Sequence, residues 1–335
     1  MTSPRDYMEK ILSGKAITKE DALNLYNSPL DELCQCADEI RKHFCDNKFD
    51  ICTIINAKSG KCSENCKYCA QSSFYSTCVQ EYPLLSPQEV AKQAKENFER
   101  GVLRFSIVTS GKKLSDSEVE KVCEIIKAIK NECGIKVCIS CGLLNKEQFT
   151  KLKEAGASRV HNNLETSEKN FSNVCTTHSF QDKVNAIKAA QSSDLSVCSG
   201  GIMGIGETPE DRIDMAFSLK ELGIKSVPIN MLNPIKGTPY ENLSPLTEDD
   251  MRRIAAVYRF ILPDASIRLA GGRGLMEHKG YDCFKSGANA TISGDMLTTA
   301  GITIEKDIET IEALGYERGF MQWLREFLSL EPELT

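Results

Sequence analysis

Cys62, Cys66 and Cys69 lie in the run Gly60–Ala70 at the spacing C-x3-C-x2-C, with Tyr68 directly before the last cysteine. Three thiolates so spaced can hold three irons of a cubane cluster and leave the fourth iron without a protein ligand. An open iron can take a chelating substrate and do chemistry on it, whereas a cluster with four cysteine ligands mainly passes electrons. On a helix the same three positions would form one stripe of small buried residues. Ser59, Gly60, Ser63, Asn65, Ser72 and Ser73 argue against that, because they make the segment polar, small and loop-like. A zinc site would ask for a second ligand couple nearby, and no matching couple is obvious.

A cluster loop needs a scaffold, and the chain has the means to build one. It has 335 residues and 41% hydrophobic content, enough for one barrel domain with appendages. Lys and Arg number 41 against 47 Asp and Glu, a net charge of −6 that gives no reason to expect nucleic acid or an anionic membrane as partner. The start, Met1–Asp6, lacks the basic-then-apolar layout of a signal peptide, and no apolar run is long enough to span a membrane. Fifteen cysteines without such a signal point to the reducing cytoplasm, with thiols serving metals or packing and no structural disulfide.

The first 48 residues read as a helical extension, with Pro4 after Ser3 and acidic residues behind a Thr18 cap. A strand–helix alternation then runs over residues 49–297, and residues 298–335 read as a helical tail, with its helix from Glu305 to Leu330. The expected strands are Ile51–Asn56, Leu103–Val108, Lys136–Ser140, Arg159–Asn162, Ser196–Gly201, Ser226–Met231, Ser266–Ala270 and Ala290–Ser293. Helices are expected from Ser86, where Pro87 and Glu89 complete a capping box, and near Ser115, Asn145, Ser179, Thr208, Thr247 and Gly274. Eight strands each followed by a helix imply a parallel sheet, and that count suits closure into a (βα)8 TIM-type barrel. An open doubly wound sheet is the competing fold, but no Gly-x-Gly-x-x-Gly turn opens the first unit.

In such barrels chemistry collects where strands end. Unusual residues do cluster there: Ser106 to Gly111, Cys138 to Gly142, His161 to Ser167, Cys198 to Glu207, Asn230 and Arg268. Each has a plain alternative, such as cysteines that pack, an Asn or Glu that caps, or an arginine in an ion pair. Six such groups at successive strand ends make coincidence a poor account. His161 is a candidate for lining the pocket. Cys52 and Cys283 read as core residues, and Cys78 and Cys175 as thiols that could approach the site.

The cysteine loop resembles that of the radical S-adenosylmethionine superfamily. The runs Asn163–Ser167, Val197–Gly201, Gly204–Thr208, Val227–Leu232 and Lys236–Pro239 resemble the biotin synthases, in matching order over residues 45 to 315. The resemblance implies radical insertion of sulfur into dethiobiotin, whose saturated C–H bonds give acid–base catalysis no handle. It implies a 4Fe-4S cluster on Cys62, Cys66 and Cys69 that binds and cleaves S-adenosylmethionine, with flavodoxin or ferredoxin as electron donor and a homodimer as the assembly. Asn163 and Glu165 would hold cofactor ribose and the substrate ureido group, and Asn230 would bind substrate. Gly200, Ile202, Gly204 and Glu207 would pack against adenine, and Tyr68 would present its backbone to it. Lys183 stands where many relatives have an arginine that pairs with the cofactor carboxylate.

The family's sulfur source is an auxiliary 2Fe-2S cluster held by three cysteines and an arginine. Cys138, Cys198 and Arg268 match three of those positions, but the fourth is Ser106, while Cys141 is an extra thiol beside Cys138. The exchange leads to the expectation of an auxiliary cluster rebuilt on Cys138, Cys141 and Cys198, of 2Fe-2S or larger cubane type. The alternative keeps the ordinary cluster, with Ser106 as a weak ligand and Cys141 packing. Rival functions are a hydrogenase-cofactor maturase or methylornithine synthase of the same branch, or an iron–sulfur carrier without turnover. The first pair lack the sulfur-donor positions, and a carrier leaves Asn163, Glu165 and Asn230 unexplained.

Overall fold

The computed structural model describes residues 2–320. Three helices come first, α1 (Pro4–Leu12), α2 (Lys19–Tyr26) and α3 (Leu30–Cys45). The barrel follows as β1 (Lys48–Lys58), α4 (Pro87–Glu99), β2 (Arg104–Thr109), α5 (Asp116–Glu132), β3 (Lys136–Ser140), α6 (Lys146–Glu154) and β4 (Ala157–His161). It continues with α7 (Glu168–Val174), α8 (Phe180–Gln191), β5 (Ser196–Cys198), β6 (Gly201–Met203), α9 (Pro209–Glu221), β7 (Ser226–Met231) and α10 (Glu248–Ile261). The last elements are β8 (Ser266–Leu269), β9 (Ala290–Ile292), α11 (Ile304–Ala313) and β10 (Glu317–Arg318).

All barrel pairings are parallel, in the order β1-β2-β3-β4-β5-β7-β8-β9, and β9 pairs with β1 to close the ring. β5 and β6 together occupy one strand position, since both pair with β7. Six barrel helices, α4, α5, α6, α8, α9 and α10, open on a capping box at the residue expected: Ser86, Ser115, Asn145, Ser179, Thr208 and Thr247. Each such box satisfies N–H groups that a helix start leaves open, so helix starts here are set locally. Outward strand residues such as Phe49, Ile51, Phe105, Ile107 and Ile139 pack into the core against the helices. Every second residue of the strands faces the barrel axis instead.

Several elements differ from expectation for identifiable reasons. The fifth strand breaks at Ser199-Gly200, where a Cβ on Gly200 would stand 1.9 Å from the Pro228 carbonyl oxygen. No helix starts at Gly274; the segment forms two short 3-10 turns, Arg273–Leu275 and Tyr281–Lys285, each preceded by a glycine in the left-handed region. α7 was not expected and is capped by Ser167. The tail helix ends at Ala313 rather than running on to Leu330. Gly315 turns at φ 81°, and β10 then pairs with Lys48 and Phe49 of β1. Residues 321–330 of that expected helix lie outside the described residues.

Candidate active site within the barrel

The cavity inside the barrel has a volume of about 390 Å³ and opens where the strands end, within the size range of small-molecule sites. Cys62, Tyr68, Cys69, Asn163, Glu165, Lys183, Ile202 and Asn230 line its upper part. Ser106, Cys138, His161, Cys198 and Arg268 line the part between the strands, together with Cys52, Arg104 and Arg159. The structure therefore brings most of the expected site residues to one space. Cys66, Cys141, Gly200, Gly204 and Glu207 are not among the lining residues.

The cysteine loop is folded by its own backbone. Cys62 N–H donates to Gln71 O at 3.0 Å, Ser73 N–H to Cys62 O at 2.8 Å and Cys69 N–H to Cys66 O at 3.0 Å. Burial pushes the Cys69 thiol up to about 11, with Cys62 adding to the rise against N–H donors from Gln71 and Ser72. Clustered buried thiols resist ionisation unless a cation joins them, which is the donor set a cationic iron core requires.

A further set of side chains holds this loop from outside, and the sequence does not show them as a unit. The Glu64 carboxylate accepts from Thr177 Oγ1 at 2.7 Å and lies 2.6 Å from His178 Nδ1. Asn65 Oδ1 accepts from the N–H of Thr176 at 2.9 Å. Cys66 faces Cys175, whose sulfur lies 3.3 Å from His178 Nδ1. Hydrogen bonding with Cys66, and after it with His178 and Thr177, holds the Cys175 thiol down against its burial. The run Cys175–His178 is the sequence signal for this anchor, but its partners lie more than 100 positions away.

Opposite the loop, Glu165 sits at φ 72°, an uncommon conformation for a residue with a side chain. Its N–H donates to Gly200 O at 3.0 Å and its carbonyl accepts from Ile202 N–H at 2.9 Å, so the interrupted fifth strand fixes it. A Cβ on Gly201 would lie 2.4 Å from the Glu165 carbonyl oxygen, which is why this approach takes glycine. Asn163 donates to Glu165 Oε2 at 3.3 Å and accepts from Gly200 N–H at 3.1 Å. Tyr68 packs with Ile202, Ile205 and Leu232 in one apolar cluster.

Glu207 plays a supporting part. Its carboxylate accepts from the N–H groups of Gly204 and Ile205, at 2.8 and 2.7 Å, and from Arg212 Nε at 2.6 Å. Asn230 likewise bridges backbone, donating to Gly201 O at 3.0 Å and accepting from Gly271 N–H at 2.9 Å. Lys183 Nζ lies 3.4 Å from Asn162 Oδ1.

Cys141 does not join Cys138 in the cavity. Cys138 and Ser140 point inward by strand alternation, so Cys141 falls on the other side, in the apolar core with its thiol against Thr109. Burial pushes Cys141 up to about 12. Burial also opposes ionisation of Cys198, yet His161, Arg268 and Arg159 outweigh it and hold that thiol down to about 6. Arg268 donates to Asp50 Oδ2 at 2.6 Å and to the Thr291 carbonyl at 2.8 Å.

Comparison with known proteins agrees with this geometry. Residues 57–219 match the radical SAM superfamily, and residues 228–317 match the biotin and thiamin synthesis associated domain. The chain is 62% identical over 309 residues to a biotin synthase of Brachyspira hyodysenteriae, covering 92% of this chain and 93% of that protein. It is 55% identical to a biotin synthase of Akkermansia muciniphila, covering 95% and 99%. Among solved structures, a methylornithine synthase superposes with a TM-score of 0.83 at 19% identity, covering 96% of this chain and 99% of that one, a likeness of fold alone.

Proposed function

The chain belongs to the biotin synthase family, and from that membership we propose that it inserts sulfur into dethiobiotin by radical chemistry to make biotin. The observation that carries the reading is the stacking of two donor sets in one cavity. Cys62 and Cys69 stand at the mouth, Cys138, Cys198 and Arg268 stand deeper, and Asn163, Glu165 and Asn230 lie on the walls.

A 4Fe-4S cluster on Cys62, Cys66 and Cys69 would supply the electron that cleaves S-adenosylmethionine to methionine and a 5′-deoxyadenosyl radical, which takes hydrogen from the substrate. This chain's residues do the positioning. Tyr68, Ile202, Ile205 and Leu232 offer the apolar face for adenine, with Ile205 on the loop that Glu207 ties together. Asn163 and Glu165 present an amide and a carboxylate suited to ribose hydroxyls and a ureido group. The interior walls keep water from a radical that would otherwise be quenched. Cys138, Cys198 and Arg268 would hold the auxiliary cluster that donates sulfur. Family membership supports a flavodoxin or ferredoxin as electron donor, a homodimer and a cytoplasmic setting. Among the described residues no helix is long and apolar enough to cross a membrane.

Lys183 is a cation beside the cysteine loop, close enough to oppose the rise of Cys66. Lys183→Ala is expected to raise KM for S-adenosylmethionine roughly tenfold to a hundredfold, the worth of one hydrogen bond to a charged group. The check is deoxyadenosine formation against cofactor concentration, with Lys183→Arg expected to recover most of the loss.

The whole reading is tested by supplying anaerobic, reduced protein with S-adenosylmethionine and dethiobiotin. Formation of 5′-deoxyadenosine and biotin together is the expected result. Deoxyadenosine without biotin would leave the radical chemistry standing and sink the assigned substrate.

A further inference from the structure

The recorded strand pairs locate every inward side chain on a level of the barrel. A path around the ring that climbs one residue on each strand follows the pairs Cys52 with Arg104, Phe105 with Val137, Cys138 with Arg159 and Val160 with Val197. It goes on through Cys198 with Ser226, Val227 with Ile267, Arg268 with Ala290, and Thr291 with Ile51, whose next residue is Cys52 again. The path closes on itself. In a barrel of this kind alternate strands contribute the four side chains of one layer. Here that layer is Cys52, Cys138, Cys198 and Arg268. Ser106 lies two residues above Arg104 on β2, in the neighbouring layer with His161.

We propose that Cys52 is the third thiolate ligand of the auxiliary iron–sulfur cluster, completing with Cys138 and Cys198 the set that serine at position 106 leaves short. The assignment rests on the reading that an auxiliary cluster occupies this part of the barrel. It replaces Cys141, which lies in the apolar core, and it gives soft iron a thiolate where Ser106 offers only a hydroxyl.

The charge around this layer points the same way. Arg104, Arg159 and Arg268 are each at most 2% exposed. Among the described residues Asp50 is the carboxylate paired with them, 2.6 Å from Arg268 and 3.7 Å from Arg159. Arg104 donates from Nη1 to Ser158 Oγ at 2.9 Å, while its Nε and Nη2 have no hydrogen-bond partner among the described residues. Buried cations in excess of their counterions are costly, and buried N–H groups without acceptors add to that cost. A cluster with three thiolates carries net negative charge and sulfur acceptors, so it answers both deficits. Cys52 itself is 6% exposed, and its sulfur lies 3.4 Å from the Thr53 carbonyl oxygen.

The test uses the full chain with Cys62, Cys66 and Cys69 all changed to alanine, so that any iron left after anaerobic reconstitution belongs to the auxiliary site. Iron and acid-labile sulfide are counted, Mössbauer spectra are recorded, and circular dichroism checks the fold. Adding Cys52→Ala is expected to lower the residual iron and sulfide at least fivefold, and adding Cys141→Ala to leave both unchanged. Cys52→Ser, which keeps the side chain's size, guards against misfolding and should retain the fold with an altered or absent Mössbauer signal. Full iron content and an unchanged spectrum in both Cys52 variants would overturn the assignment alone. A triple-alanine background that holds no iron at all would overturn the auxiliary-cluster reading and the assignment with it.

Discussion

Changing Cys62, Cys66 or Cys69 to alanine is expected to reduce 5′-deoxyadenosine formation to background while leaving the barrel folded. The loop closes through backbone bonds, such as Cys62 N–H to Gln71 O and Ser73 N–H to Cys62 O, that survive loss of a thiol. Its outer anchor, Glu64 with Thr177 and His178, also needs none of the three sulfurs. What fails is the donor set. Two thiolates cannot hold three irons, and no acid–base group in the cavity can substitute in breaking a carbon–sulfur bond by one-electron chemistry. Iron content after reconstitution and deoxyadenosine yield should therefore fall together, with thermal unfolding little changed. A variant that still cleaved S-adenosylmethionine at a tenth of the parent rate would show that the loop does not hold the reactive iron.

Asp50→Asn is expected to cost about 3–5 kcal/mol of stability, the usual effect of removing one partner from a buried ion pair. Domains are stable by roughly 5–15 kcal/mol, so the change takes a large share of the total. The reason lies in the ratio of charges: Arg268, Arg159 and Arg104 surround this carboxylate inside the barrel. Burial alone would push Asp50 up, but those guanidiniums outweigh it and hold the carboxyl below its ordinary value. Burial, then mutual repulsion with Arg159, already brings Arg104 down to about 10. Urea unfolding of the apoprotein measures the loss directly. The deficit should shrink in reconstituted protein, because an anionic cluster supplies part of the missing charge. Equal losses with and without iron would mean that the cluster does not sit among these arginines.

Much of this architecture is legible in the chain itself. Strands such as Lys136–Ser140 and Ser226–Met231 match the expected bounds, and six helices start at their expected caps. These are local signals, a run of apolar residues bounded by a Ser, Thr or Asn cap. What escapes is what depends on pairs far apart. Glu64 meets His178 only after four strands have been laid down, and Cys141 reads as a neighbour of Cys138 although strand alternation turns it away. Cys52 is the clearest case. Between Ile51 and Thr53 it reads as core, since both faces of a parallel barrel strand are buried. Sequence supplies the period of two but not the register, and register alone puts Cys52 level with Cys138 and Cys198.

That closed path also bears on how such an enzyme can drift. Inward positions two residues apart on one strand, or on adjacent strands, sit on neighbouring rungs of a ladder that the backbone holds still. A sulfur can therefore step from the rung of Ser106 to that of Cys52 while every strand keeps its partners. Compared column by column, a cysteine lost at one position and a cysteine gained more than fifty residues earlier look like two unrelated accidents. On the ladder they are one move. Relatives that carry serine at the first position are the place to look for cysteine at the second.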